Sequence, residues 1–369
     1  MAAAVSTRQH QDGYVTRPFE RADTQEFLEL YDDVFGGGSR EWFEWKYENN
    51  PYADEIPVFV VEHETDGIVA ARPQVPFEMR VNGRTVPAIR FGDTMVHEDH
   101  RRNGLFQRST EHALEYYADK GVAFGFNFPN ALSRPGYLES GGRVIAKVPT
   151  AYRVQNPTGF LDRDVPGPLA TALRSGAQAI LGARAAVSDT SGFDVERHDA
   201  IPAALLESLY ERAVPPSIHA SRDERFYGWR FENPNWEYHA YVARDGDRPV
   251  AGLVTGTGAP VDSQMTNVME VMPLSGGRER TRALNALFSC VTTDHADSDT
   301  IVVAGRSVPE SVLSTHGFLR DDRPPLSLAT TRTRLVGYDV AGDEPWSAAG
   351  VDLTEPRNWR VNLSEHDTR

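Results

Sequence analysis

Two short stretches of this 369-residue chain repeat one pattern: "WKYENNP" (Trp45 to Pro51) and "WRFENP" (Trp229 to Pro234). Their flanks repeat as well. Before the first lies "YVTRPFERADTQEFLELYDDVF", and before the second "FDVERHDAIPAALLESLYERAV"; each reads as a strand followed by a helix with apolar residues at helical spacing. After each comes a strand pair with a polar turn at its centre, "PVFVVEHETDGIVAARP" and "HAYVARDGDRPVAGLVT". The period of about 180 residues is far longer than any solenoid repeat, so the pattern predicts a duplicated domain of mixed α/β structure. A tryptophan that occurs in both copies is expected to serve the core, which assigns Trp45 and Trp229 to packing.

Expected boundaries follow from the repeat. Residues 1–12 form an N-terminal tail, 13–150 the first domain, 151–190 a connector, 191–335 the second domain and 336–369 a C-terminal tail. In the first copy Asn82-Gly83 predicts a tight hairpin turn. A helix is expected from about Gly104 to Lys120, with Phe106, Thr110, Ala113, Leu114 and Tyr117 along one face.

Composition narrows the setting. No apolar run approaches the roughly 20 residues of a membrane span, and the N-terminus lacks a secretory h-region, so a cytoplasmic protein is expected. The one cysteine, Cys290, precludes an internal disulfide. Acidic residues number 53 against 38 basic ones, and the only lysines are Lys46, Lys120 and Lys147. A surface so acidic and poor in lysine suits a high-salt cytoplasm and hence a halophile. It disfavours nonspecific nucleic-acid binding, which needs broad positive surface. A homo-oligomer is compatible with the sequence.

Against that acidity, "HEDHRRNGLFQRS" (His97 to Ser109) places arginines and a glycine where a helix should begin. The helix dipole already makes that end positive, so Arg101 and Arg102 have the wrong sign unless an anion binds there. First-turn amides lack intrahelical partners and point outward as donors, and Gly104 lets a phosphate approach without a Cβ in its way. Two readings stand at this point: an anion site, or a solvated basic loop with its arginines paired to Glu98 and Asp99. A metal site is not expected, because His97-x-x-His100 shows no third ligand.

The order strand, Arg-x-x-Gly-x-Phe, helix, strand, then Asn130 and "YLESG" (Tyr137 to Gly141), resembles the GCN5-related N-acetyltransferase (GNAT) superfamily. The resemblance covers roughly 140 residues per copy and implies two tandem GNAT-like domains. It implies acetyl-CoA as acyl donor, its pyrophosphate held by Arg101, Arg102, Asn103, Gly104, Leu105, Phe106 and Gln107. Met95, Val96 and His97 would align the pantetheine arm, and Asn130 would also contact the cofactor. Two departures stand out. Phe106 replaces a small residue, and Gly141-Gly142 lacks the aromatic that often ends the family's last motif. The second copy has "VMPLSGGRERTRALNALFS" where the first has the loop, and Leu313 in place of Tyr137, so it is expected to be degenerate and the first to hold the site.

The reaction the family implies is direct attack of a small-molecule primary amine on the thioester. Tyr137 would be the acid for the leaving sulfur. For the base, Asp93, His97 and a water chain remain open, Asp93 being the nearest carboxylate on the strand. Other classes remain: a non-catalytic acyl-CoA sensor or scaffold, and a Fem-like aminoacyl or peptidyl transferase with an aminoacyl-tRNA donor, against which the net acidity argues. Neither a Gly-x-Ser-x-Gly elbow nor a Gly-x-x-x-x-Gly-Lys loop is present, and "TGTGAP" at 255–260 is expected to make a turn.

Overall fold

Asn82 and Gly83 both adopt positive φ (49° and 77°), and Val81 pairs with Arg84 across them, the two-residue hairpin expected of Asn-Gly. The structure is a computed structural model that describes residues 8–9, 13–156, 192–258, 264–328, 330–341 and 344–366. Contacts divide the chain into two units, and neither is continuous in sequence. One comprises Met1–Ala146, Ile218–Ser221 and Arg334–Trp359; the other comprises Lys147–Ser217, Arg222–Thr333 and Arg360–Arg369.

In the first unit the strands are β1 (Arg8–Gln9), β2 (Tyr14–Pro18), β3 (Val58–His63), β4 (Gly67–Val81), β5 (Arg84–Phe91), β6 (Met95–Val96), β7 (Phe124–Asn127) and β8 (Arg143–Lys147). Helix α1 (Thr24–Phe35) buries Phe27, Leu30 and Tyr31 at helical spacing. The short α2 (Arg40–Phe43) runs into a π-helical turn, Glu44–Glu48, which carries the repeated tryptophan motif. Helix α3 (Leu105–Asp119) buries Leu105, Ser109, Thr110, His112, Ala113 and Tyr117, so Phe106 and Leu114 lie only partly inside. Helix α4 (Arg134–Glu139) carries Tyr137.

In the second unit lie β9 (Thr150–Val154), β10 (Asp194–His198), β12 (Trp236–Asp245), β13 (Arg248–Gly258), β14 (Met265–Met272), β15 (Thr300–Ala304) and β16 (Leu319–Arg320). Its helices are α5 (Ala203–Glu211), α6 (Glu224–Arg230), α7 (Arg278–Asp294) and α8 (Glu310–Thr315). The chain returns to the first unit in β11 (His219–Ala220), which pairs with β4, and in β17 (Arg334–Asp339).

The two sheets repeat one strand order. The first runs β2-β3-β4-β5-β7-β17-β8, and the second β10-β12-β13-β14-β15-β9-β16. Among the described strand pairings, each has one parallel pair at the same place, β5 with β7 and β14 with β15. The chain is thus a mixed α/β protein with a second domain of the same topology. The contiguous boundaries expected at 150 and 335 do not coincide with these units. β9, at the start of the expected connector, completes the second sheet, and β17, at the start of the expected tail, completes the first. The rest of the connector, 157–190, and residues 1–7 and 10–12 of the N-terminal tail lie outside the described residues. Trp45 and Trp229 are both buried, as the repeat predicts for core residues. Among the described residues no helix is long and apolar enough to cross a membrane.

Candidate active site

The candidate site of the first domain centres on an irregularity in the β5–β6 segment. Against β4, Phe91 pairs with Gln74 and Met95 with Ala71, so four steps on one strand match three on the other. The extra residue makes a β-bulge at Gly92–Thr94, with Asp93 at φ 44°. Pairing of β5 with β7 ends at Arg90 and Phe126, just before the bulge. Past that point β6 pairs with β4 on one edge only, among the described residues. His97 N–H donates to Val69 O at 2.9 Å, so by alternation the backbone of Val96 faces the open edge. Arg101 Nε donates to Val96 O at 3.2 Å from that side. Met95 is fully buried, and the His97 amide is consumed by β4, which leaves Val96 as the member of the expected trio with backbone groups turned to the open edge.

Asp93 does not stand free in this site. Its Oδ2 accepts from Lys46 Nζ and, at 2.6 Å, from Tyr47 OH, both from the repeated tryptophan motif. The ammonium also lies over the ring of Trp42, 4.9 Å from its centroid. The pair is almost completely enclosed, at 1% and 0% side-chain exposure. A carboxylate held by a cation and a phenol is a poor proton acceptor; this geometry makes Asp93 the pin of the bulge.

Beyond β6 the loop curls through Arg102 and Gly104, both left-handed at φ 69° and 71°, into the first turn of α3. No side chain caps that turn, and no acidic residue lies in it. Its outward amides therefore meet the requirement for an anion. A Cβ at Gly104 would meet only the flexible end of Arg108, at 3.6 Å. Arg101 and Arg102 are exposed, and among the described residues neither pairs with Glu98 or Asp99, which removes the solvated ion-pair reading of the loop. Asn103 donates to Tyr14 OH and His100 O, Leu105 anchors the helix in the core, and Gln107 donates to Glu139 of α4 at 3.0 Å.

Tyr137 is buried, and its hydroxyl lies 3.2 Å from Arg72 Nη1 and 3.3 Å from Thr94 Oγ1 in the bulge. Arg72 was not foreseen. It sits in β4 at 0% exposure, its guanidinium stacked against Phe91, Phe106 and Tyr137 at 4.4, 4.9 and 4.9 Å from their centroids. Its Nε and Nη2 are buried without hydrogen-bond partners, and no carboxylate reaches it among the described residues. A lone arginine in the apolar stretch "VAARPQVPF" is the sequence signal that would have found it. The same aromatic box accounts for Phe106, whose ring meets Tyr137 edge-on at 5.2 Å.

The missing aromatic at Gly142 also has an explanation. A Cβ there would meet the Tyr338 ring at 2.9 Å and Tyr137 O at 2.7 Å. Tyr338, supplied by β17, fills the place and donates to Tyr137 O at 2.6 Å; burial pushes its phenol well above the usual range, so it stays a neutral donor. Asn130 lies three residues past the end of β7 and not at the strand end. Its Oδ1 accepts from the amides of Leu132 and Ser133, both at 2.9 Å, and shapes the turn into α4. The strand end itself is Asn127, buried, another residue the sequence reading passed over.

In the second domain an arginine bridges the equivalent strand ends. Arg280, in the first turn of α7, donates through Nε to Pro273 O and through Nη2 to Ser307 O, both at 2.6 Å. Those carbonyls follow β14 and β15, so one guanidinium spans the ends of the parallel pair. Burial and the charge of Arg360 lower its pKa to about 10.

The family model for an acetyltransferase (GNAT) domain matches residues 15–142. No curated protein matches the sequence. Among solved structures, a GCN5-related N-acetyltransferase from Anabaena variabilis is similar over 89% of this chain and 73% of its own, at 10% identity and a TM-score of 0.62. A probable N-acyltransferase from Enterococcus faecalis gives 89% and 72%, at 11% identity and 0.62. The N-myristoyltransferase of Saccharomyces cerevisiae, solved with myristoyl-CoA, gives 96% and 85%, at 12% identity and 0.64. At such identities the likeness is one of fold. Residues 15–142, which hold the bulge, the uncapped loop and Tyr137, are thus the stretch that matches the GNAT acetyltransferase family model, within a two-domain chain similar in fold to these acyltransferases.

Proposed function

We propose that the chain is an acyl-CoA-dependent N-acyltransferase with acetyl-CoA as donor and a small primary amine as acceptor, its site confined to the first domain. The observation that carries this reading is the loop. Left-handed Arg102 and Gly104 lead into an uncapped first turn with exposed arginines beside it; α7 in the second domain is uncapped too, but it lacks the left-handed pair and carries Glu279 in its first turn. Amides of Leu105, Phe106 and Gln107 would hold the pyrophosphate, with Arg101 and Arg102 supplying charge. The backbone of Val96, on the open edge of β6, would align the pantetheine arm.

A bound acyl-CoA supplies an activated thioester and a thiol leaving group. The chain's own contribution centres on Tyr137, which holds a proton at its hydroxyl. Arg72 Nη1 is fixed at 3.2 Å from that oxygen, so positive charge stands where negative charge would develop once the proton leaves. Phe91 and Phe106 shield the guanidinium from water and strengthen its field. Asp93, locked by Lys46 and Tyr47, positions the bulge and with it Thr94. The amine's proton then leaves through His97 or water.

Two measurements test this. Millimolar acetyl-CoA should raise Tm, and Arg102→Glu with Gly104→Asp should abolish the rise; no rise in the parent protein refutes the donor assignment. CoA release across a panel of amines, and with longer acyl chains, should reveal turnover that Tyr137→Phe lowers by about 10²–10⁴-fold with little change in acyl-CoA affinity. Unchanged turnover in Tyr137→Phe removes it as the acid, and binding without turnover on any amine favours a sensor.

A further inference from the structure

Beside the loop, two histidines and an aspartate converge. His63 ends β3, Asp66 lies in the turn between β3 and β4, and His100 lies on the 3₁₀ turn Glu98–His100 of the loop. Asp66 Oδ2 is 2.8 Å from His63 Nδ1 and 3.4 Å from His100 Nε2. All three donor atoms fall within 4.8 Å of one another.

Other residues aim two of the three. Thr65 Oγ1 donates to Asp66 Oδ1 at 3.0 Å, which turns Oδ2 toward the imidazoles; the same hydroxyl lies 3.3 Å from His63 Nδ1, a contact that a bound ion would replace. Tyr14 OH lies 3.0 Å from His100 Nδ1, and Asn103 Nδ2 donates to the same hydroxyl at 3.1 Å. That leaves His100 Nε2 facing Asp66. The Tyr14 ring packs against both imidazoles, 4.9 Å from His63 and 5.8 Å from His100. Hydrogen bonding alone would let each imidazole take its own carboxylate oxygen. Here both nitrogens face one oxygen, and the other oxygen is engaged by threonine. Partners that fix the distal atoms of ligands are what metal sites use to orient them.

We propose that His63, Asp66 and His100 bind one divalent transition-metal ion of the zinc class. Two imidazoles and one carboxylate suit Zn²⁺, Co²⁺ or Ni²⁺, whereas Mg²⁺ and Ca²⁺ favour oxygen ligands. The side chains of His63 and His100 are 24% and 12% exposed and that of Asp66 50%, so an ion can enter and complete its shell with water. The ion ties the β3–β4 turn to the loop that carries Arg101, Arg102 and Gly104. This site stands whether or not the loop holds acyl-CoA.

The test uses untagged full-length protein freed of metal with a chelator. Zn²⁺ titrated against a chromophoric competitor should bind at one equivalent, and Co²⁺ should give visible d–d bands of a protein-bound site. Zn²⁺ should also raise Tm, and Mg²⁺ alone should not. His63→Gln, His100→Gln and the surface change Asp66→Asn should each weaken Zn²⁺ binding by about 10–100-fold or more, while His198→Gln in the second domain leaves it unchanged. Circular dichroism and Tm of the metal-free variants confirm that they fold. No stoichiometric uptake by the parent, or uptake that the His63, Asp66 and His100 variants leave intact, overturns the proposal. Acetyl-CoA affinity, measured separately, reports on the acyltransferase reading and cannot rescue or sink the metal site.

Discussion

Asp93→Asn separates a structural from a catalytic role for the one carboxylate in the bulge. The substitution keeps the shape and removes the charge. It leaves the ammonium of Lys46, 1% exposed, inside the aromatic surroundings of Trp42 and Tyr47 without its carboxylate. Breaking a buried ion pair from one side costs about 3–5 kcal/mol, chiefly the price of the stranded charge. For a domain of this size, each kcal/mol shifts Tm by about 2–4 °C, so a fall of roughly 6–20 °C is expected. Urea denaturation followed by tryptophan fluorescence measures it directly. Removing the cation as well, Lys46→Met with Asp93→Asn, should recover most of the loss, because asparagine tolerates the left-handed backbone at φ 44°, still accepts from Tyr47, and no charge is left behind. If Asp93 were the general base, the pattern would invert. Asp93→Asn would then fold within about 1 kcal/mol of the parent and lose turnover by about 10²-fold or more. That result would refute the pinned-bulge reasoning.

Two further outcomes are expected. Arg72→Met removes a buried, partly unsatisfied guanidinium, so stability should hold or rise while turnover falls by about tenfold or more; undiminished turnover removes Arg72 from the site. His316, in the second domain, is held down to about 4 by burial and by the charge of Arg153, from an ordinary value of 6.5. Between those values the unfolded chain binds the extra proton, so stability is fully present above pH 6.5 and falls as pH drops toward 4, by about 3 kcal/mol. Urea curves at pH 7.5 and 4.5 for the parent and His316→Phe should differ by that slope, and identical slopes would exclude it.

What the sequence made legible was periodic or local. The doubled tryptophan motif announced two copies of one topology, and Asn82-Gly83 announced its turn. The sign of Arg101 and Arg102 drew attention to the start of α3, because helix-end electrostatics are set within one turn, and the proposed anion site rests on that uncapped turn. What stayed hidden depends on partners far along the chain. β9 and β17 are five- and six-residue strands, and nothing within them says which sheet they complete. Arg72 looked like one residue among many arginines until burial left it among three aromatic rings. Asp93 looked available because its nearest neighbours in sequence are neutral; Lys46 reaches it from 47 residues upstream. The pair His97-x-x-His100 lacked a third ligand for the same reason, since His63 and Asp66 belong to another hairpin.

The duplication also explains why one copy alone should act. Both sheets place a parallel pair at the same position, so the difference is not one of architecture but of a few residues after β6 and β14. In the first copy the chain uses two left-handed residues, Arg102 and Gly104, to turn into a helix start that no side chain caps. In the second, Gly276 and Gly277 keep negative φ, and Arg280 folds back against Gly276, where a Cβ would come within 2.7 Å of its side chain. Its guanidinium then takes the carbonyls of Pro273 and Ser307. Under the proposed function, those two buried hydrogen bonds would have to break before a phosphate reached the start of α7, which favours the first domain as the one that binds although the second retains the fold.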